Sequence, residues 1–269
     1  MKSVVDIKED LRKKILNSLK GDYKGNVVLS INHKDEMYLY GSGRGKVSDE
    51  DAFMTYFRIG ERILDSLVMA LVNAQKPGAP WWGDGTVLDF ASGYGRCTRF
   101  LTKKFGWENK VTVSDIDPMA VDFNIKSFGV KGFYSTKLAD DLKHDEKYDT
   151  IFVCSLFTHL SLEHWKQWYK KIYSLLSPNG TLVFSTHGLH LRPAEDRTNF
   201  DFTEAGFLFA KRNETKGRLK GDYYGSTFVS REFVSNFVRQ SGCGDLVKYY
   251  RKGLCDFHDL YVIKNKLQK

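Results

Sequence analysis

Apolar side chains recur along the chain in two alternating rhythms. Near the start, Ile7, Leu11, Ile15 and Leu19 stand at helical spacing with lysines and acids on the other faces, which predicts an amphipathic helix. Val27–Ile31 and Met37–Tyr40 read as short strands or extended segments joined by the turn-like Asn32-His33-Lys34-Asp35-Glu36. Ser48-Asp49-Glu50-Asp51 forms a capping box, and the helix it opens carries Phe53, Phe57, Leu64, Leu67 and Leu71. Beyond it, short β-branched and apolar runs predict strands at 86–90, 110–114, 130–135, 149–155 and 180–186. Leu162, Trp165, Trp168, Tyr169, Ile172 and Leu176 make one helical stripe, read as core, and Pro178-Asn179-Gly180 ends it. Ser230 caps a helix through Phe233, Phe237 and Val238, and Leu246–Tyr250 and Phe257–Ile263 close the chain as two strands. Strands alternating with helices predict an α/β fold: a doubly wound, mostly parallel sheet with a C-terminal antiparallel hairpin and an N-terminal helical extension. Pro77-Gly78-Ala79-Pro80-Trp81-Trp82-Gly83 marks a boundary. Residues 1–83 therefore read as an N-terminal lobe and 84–269 as the core. Within that core, residues 187–229 read as an irregular substrate-recognition insert.

One stretch carries candidate chemistry. Val87-Leu88-Asp89-Phe90 breaks at once into Ala91-Ser92-Gly93-Tyr94-Gly95, and a helix starts near Arg96. A strand, a glycine-rich turn and a helix are the parts of a nucleotide-binding crevice, because glycine lets the backbone turn tightly and approach a ligand. The next strand, Lys110-Val111-Thr112-Val113-Ser114, ends in Asp115, 20 residues past Gly95. That spacing suits a carboxylate that accepts hydrogen bonds from a ribose. Asp115 is also a candidate cap for the helix opening at Pro118, but Asp117 beside the proline can cap and leave Asp115 to a ligand. The other glycine-rich stretch, Gly41-Ser42-Gly43-Arg44-Gly45, has no acid-terminated strand after it and reads as a mobile loop.

With Ala139-Asp140-Asp141-Leu142, Tyr148–Leu160 and Leu175–Val183, these residues span about 86–186 in one order. In that order the chain resembles the class I S-adenosylmethionine-dependent methyltransferases, with Ala91 where the family turn has its first glycine. The resemblance implies S-adenosylmethionine as cofactor. Asp89, Ala91, Gly93 and Gly95 would surround its methionine portion, Asp115 its ribose, and Ile116 its adenine. Asp140 or Asp141 would accept from the adenine amine, and Ser155 with Leu156 would lie near the sulfur. It also places the helix before the first strand beside the methionine end, within reach of Tyr56 and Arg58.

For a hydroxyl acceptor a base is needed. His159 and His187 follow the fourth and fifth strands, at the rim where such sheets bind ligands, and imidazole titrates near neutral pH. His159 is the preferred base and His187 the second; a rigid anchor for its loop is the competing role for His159. His190 and Asp196 lack the tight spacing of a metal site, and no metal is expected. Leu156-Phe157-Thr158-His159-Leu160 and Asp256–Val262 resemble glycan-building methyltransferases, which points to O-methylation of a sugar or other small polar acceptor. A net charge of +8 and the cluster Lys211, Arg212, Lys216, Arg218, Lys220 leave open an acidic acceptor, an RNA methyltransferase or a non-catalytic nucleic-acid-binding module. Against the nucleic-acid reading, Ser155-Leu156-Phe157-Thr158 stands where base-modifying relatives carry an Asn-Pro-Pro-Tyr tetrad. A nicotinamide dehydrogenase fits less well, since Thr98 stands where G-x-G-x-x-G needs its third glycine. Four cysteines without a CxxC pair read as reduced, mostly buried thiols. No apolar run approaches a membrane span and no signal peptide opens the chain, so a cytoplasmic protein is expected.

Overall fold

A computed structural model describes residues 4–43, 45–75, 85–104, 110–193, 201–211 and 223–265. The fold is α/β and Rossmann-like, with mostly parallel strands, antiparallel strands at the C-terminus, and helices around them. Packing divides it into two compact units, residues 1–65 with 86–135, and 66–85 with 136–269.

In the first unit, α1 (Glu9–Ser18) buries Ile15 and is flanked by the buried Ile7 and Leu19, as the spacing predicts. Val27, Leu29 and Ile31 are buried at alternate positions of an extended segment. Met37–Tyr40 is not extended: it lies in α2 (Glu36–Gly41), whose cap Asp35 accepts hydrogen bonds from Met37 N and Tyr38 N. The long α3 (Asp49–Ala74) opens on the predicted box, with Ser48 Oγ accepting from Asp51 N and donating to its carboxylate. β1 (Val87–Phe90), β2 (Val111–Asp115) and β3 (Lys131–Tyr134) then run parallel, order β3-β2-β1. Short α4 (Thr98–Leu101) follows the glycine turn, and α5 (Pro118–Phe128) links β2 to β3. α5 has complete punctuation: Asp117 caps Met119 N, Pro118 takes the first turn, and Gly129 ends it at φ 68°.

In the second unit, β4 (Tyr148–Val153) pairs parallel with β5 (Leu176–Gly188), across α6 (Leu162–Ser174). α6 buries Trp165, Trp168, Tyr169 and Ile172, and Trp165 packs against Phe157, Phe184, Phe233 and Phe237 at ring distances of 4.9–6.1 Å. The 187–229 insert is not wholly irregular. β6 (Asp201–Glu204) and β7 (Phe207–Ala210) form an antiparallel pair, and β8 (Ser226–Val229) joins β7 antiparallel and β5 parallel. The physical reason is burial: all of Phe207–Ala210 and Ser226–Val229 are buried. α7 (Arg231–Ser241) starts on its Ser230 cap. β9 (Asp245–Leu254) and β10 (His258–Lys264) form the predicted hairpin, β10 antiparallel to β5. Among the described residues no helix is long and apolar enough to cross a membrane. The cysteines are free, with Cys97 buried and the other three half-buried. The Pro77–Gly83 boundary, Asp196, and Arg212, Lys216, Arg218 and Lys220 lie outside the described residues.

Candidate active site

The first unit builds a turn around two carboxylates. Phe90, the last residue of β1, lies opposite Ser114, and β2 runs one residue further, so Asp115, still paired with Tyr134 of β3, ends β2 beside the point where Ala91 leaves β1. The chain reverses through Ala91 (φ 60°), Gly93 (φ 53°) and Gly95 (φ 76°). Left-handed backbone costs an alanine roughly 1–2 kcal/mol, and glycine nothing comparable. A Cβ on Gly95 would stand 2.2 Å from Asn124 Oδ1 and 2.4 Å from the Phe128 ring, so α5 can lie against the turn only if glycine is there. A Cβ on Gly93 would meet nothing within 4 Å.

Asp115 is not left without contacts. Its Oδ2 accepts from Gly93 N at 2.8 Å and its Oδ1 from Asp117 N at 2.9 Å. Asp117 does cap α5, as predicted, and also accepts from Tyr94 Oη at 3.1 Å. Each Asp115 oxygen thus accepts a backbone N–H, and the Ile116 amide also acts on the carboxylate. Desolvation raises the Asp115 pKa despite these amides, which pull it down.

Asp89, buried at the end of β1, accepts from Thr98 Oγ1 at 2.7 Å. Burial pushes its pKa up to about 7, with Asp115 adding a smaller repulsion that the Thr98 bond opposes. The folded carboxyl therefore keeps its proton where the unfolded one has lost it, and this group's contribution to stability declines as pH rises from about 4 to about 7. Asp89→Asn, which keeps the acceptor for Thr98, is expected to raise the melting temperature over wild type at pH 8, with the gain fading by pH 4. A gain that did not vary with pH in thermal melts would rule out a buried ionisation as its source.

Tyr56 is buried, its pKa raised by desolvation, and it donates to Asp35 at 2.5 Å; Arg58 is exposed.

The second unit holds both candidate histidines. Ser155, just past β4, is left-handed at φ 66°, and Ser185 Oγ accepts from its N–H at 2.9 Å. Asp140 and Asp141 sit exposed on the single turn Ala139–Asp141. His159 Nδ1 lies 2.8 Å from Gly225 O, while Gly225 N donates to His159 O at 2.7 Å. His187 Nδ1 lies 3.2 Å from Thr227 O. A carbonyl only accepts, so each Nδ1 carries a hydrogen, which in a neutral ring makes Nε2 the acceptor. Carbonyls two residues apart on one stretch of chain thus fix the tautomer of both rings, whose centres are 6.2 Å apart. Tyr224 stacks on His159 at 4.9 Å and Phe228 on His187 at 5.1 Å. Burial first, then the neighbouring His159, lowers the His187 pKa to about 4.

At the same end of β5 is a cleft of about 290 Å³ lined by His190, Arg231, Glu232, Tyr249, Arg251 and Asp259 among others. Asp259 is buried and accepts from Tyr249 Oη at 2.9 Å and Lys252 N at 2.8 Å. Among the described residues no group of three or more His, Cys, Asp or Glu could hold a metal ion.

Residues 87–180 match the family model described as a methyltransferase domain. That segment carries a methyltransferase domain. The turn has the features S-adenosylmethionine would need: a carboxylate, Asp115, at the strand end, and backbone at Gly93 where a Cβ would meet nothing within 4 Å. Solved structures share the fold of this methyltransferase. An S-adenosylmethionine-dependent methyltransferase from Clostridium acetobutylicum matches at 14% identity and TM-score 0.55, over 85% of this chain and 96% of that one. The 1,6-didemethyltoxoflavin-N1-methyltransferase from Burkholderia thailandensis, solved with S-adenosylhomocysteine and 1,6-didemethyltoxoflavin, matches at 13% and 0.50, over 76% and 78%. The CcbJ methyltransferase from Streptomyces caelestis matches at 17% and 0.51, over 76% and 88%. No curated protein matches.

Sequence reasoning passed over Arg99 and Asn124, which are wholly buried around the turn, and Asp259. Only their unusual burial marks them, and no periodicity reports that.

Proposed function

We propose that this methyltransferase transfers the S-adenosylmethionine methyl group to a hydroxyl of a sugar or similar small polar acceptor. The observation that carries this is the pair of imidazoles held in one tautomer by Gly225 O and Thr227 O. When bound, the cofactor supplies an electrophilic methyl; the protein must align the acceptor and take its proton. His159 Nε2 is the base in this reading, and His187, kept neutral by burial, is the second imidazole at the rim. The cleft at the same end of β5, which neither His159 nor His187 lines, is charge-balanced, Arg231 and Arg251 against Glu232 and Asp259. Such a mix of donors and acceptors suits neutral hydroxyl groups better than an anion. Asp115 holds the ribose, Asp89, Ala91, Gly93 and Gly95 surround the methionine portion, and Ile116 lies against the adenine. Asp140 or Asp141 accepts from the adenine amine, and Ser155 lies near the sulfur.

The test is transfer of radiolabelled methyl to a panel of free and nucleotide-linked sugars, with RNA as the competing acceptor. Label on sugar hydroxyls is expected; label on RNA alone sinks the reading. His159→Gln is then expected to lower kcat about 100-fold, the low end for loss of a general base, because His187 stands close by. The KM for S-adenosylmethionine should stay within a factor of about two, the split expected of a group acting only in the transition state.

A further inference from the structure

Asn124 lies on α5, far in sequence from the glycine turn, yet its side chain is completely buried against it. Its Nδ2 donates to Gly93 O at 2.8 Å and to Ser92 Oγ at 3.2 Å. Its Oδ1 is buried with no hydrogen-bond partner among the described residues and faces Gly95, where only the missing Cβ makes room. A buried amide oxygen without a partner is costly, so its retention calls for an explanation.

The geometry of the peptide bond supplies one. In a trans peptide the C=O and N–H point in opposite directions. Holding Gly93 O toward α5 therefore aims the next N–H, that of Tyr94, away from Asn124. On the other side of Gly93, Asp115 Oδ2 accepts Gly93 N. The two peptides flanking Gly93 are thus pinned from opposite sides, one by the ribose-binding carboxylate and one by Asn124.

We propose that Asn124 is a positioning residue that orients the Gly93–Tyr94 peptide for the amino-acid end of the cofactor. The inference rests on the methyltransferase reading of this turn. It predicts a selective effect. Ligands that carry the amino-acid end should feel the loss of Asn124, and ligands that stop at the thioether should not.

The experiment is calorimetric titration of wild type, Asn124→Ala and Asn124→Ser with S-adenosylhomocysteine and with 5′-methylthioadenosine, alongside melting temperatures. Both variants are expected to bind S-adenosylhomocysteine about tenfold more weakly, the scale of losing one or two neutral hydrogen bonds. Binding of 5′-methylthioadenosine should stay within about twofold. An equal loss for both ligands would assign Asn124 a merely structural role and overturn the proposal, as would no loss for either. If Asn124→Ala does not fold, the smaller, polar Asn124→Ser variant carries the comparison. If wild type binds neither ligand, the cofactor reading itself fails, a result distinct from a failure confined to the variants.

Discussion

Asp115→Ala is expected to weaken S-adenosylhomocysteine binding by about 10²–10⁴-fold. A carboxylate that accepts two ribose hydroxyls makes two charge-assisted hydrogen bonds, each contributing roughly 1.5–3 kcal/mol, and about 1.4 kcal/mol corresponds to a factor of ten. The structure adds a second route to the same loss. Asp115 Oδ2 anchors Gly93 N and Oδ1 anchors Asp117 N, so its removal frees both the turn and the cap of α5. Asp115→Asn separates the two contributions. It keeps one carbonyl acceptor but places an NH₂ opposite a donor, so it should lie between wild type and Asp115→Ala. Calorimetry measures the affinity, and the melting temperature of each ligand-free variant measures the loosened turn. Unchanged cofactor affinity in Asp115→Ala would remove the ribose from this position.

What the chain discloses depends on how local the physics is. Asp117-Pro118 followed by Gly129 announces α5 because caps act within one turn of backbone. The Gly93 and Gly95 turn and Asp115 are legible for the same reason: positive φ and a strand end are local demands. Met37-Tyr38-Leu39-Tyr40 misleads because a four-residue apolar run has no period long enough to tell helix from strand. The usable signal was Asp35-Glu36 just before it, a cap with an acid in the first turn. β7 and β8 hid among basic residues, although Phe207-Leu208-Phe209-Ala210 is a continuous apolar run after a glycine with φ 81°. The paired tautomers of His159 and His187 depend on carbonyls 66 and 40 residues away, which no local pattern reports.

Arg99 is the sharpest case, and its substitution by alanine is expected to cost about 3–5 kcal/mol of stability, the range for breaking a buried charged network. In sequence it resembles any surface arginine; in the first unit it is wholly buried. Its Nη1 donates to Val28 O and Ser30 O, both at 3.0 Å, and its Nε to Gly95 O at 3.0 Å. Tyr56 Oη lies 3.3 Å from Nη2 and accepts from it, while its own hydrogen goes to Asp35. The rings of Tyr56, Phe57 and Phe128 each lie 5.2 Å from the guanidinium carbon. Truncation thus takes the side-chain donor from Val28 O and Ser30 O, while Gly95 O keeps only the Arg99 backbone N–H, and it opens a cavity walled by aromatic rings. Because those carbonyls belong to the extended segment 28–30 and to the glycine turn, the loss is not only thermodynamic. Hydrogen exchange should speed up in both segments of Arg99→Ala, while β3 keeps its protection relative to global unfolding. Arg99→Lys should recover only part of the stability, since an ammonium has three donors and no planar fork to span both segments. Equal melting curves for wild type and Arg99→Ala would mean that these hydrogen bonds are replaced by water at no cost, and that the N-terminal segment is held by its alternating Val27, Leu29 and Ile31 alone.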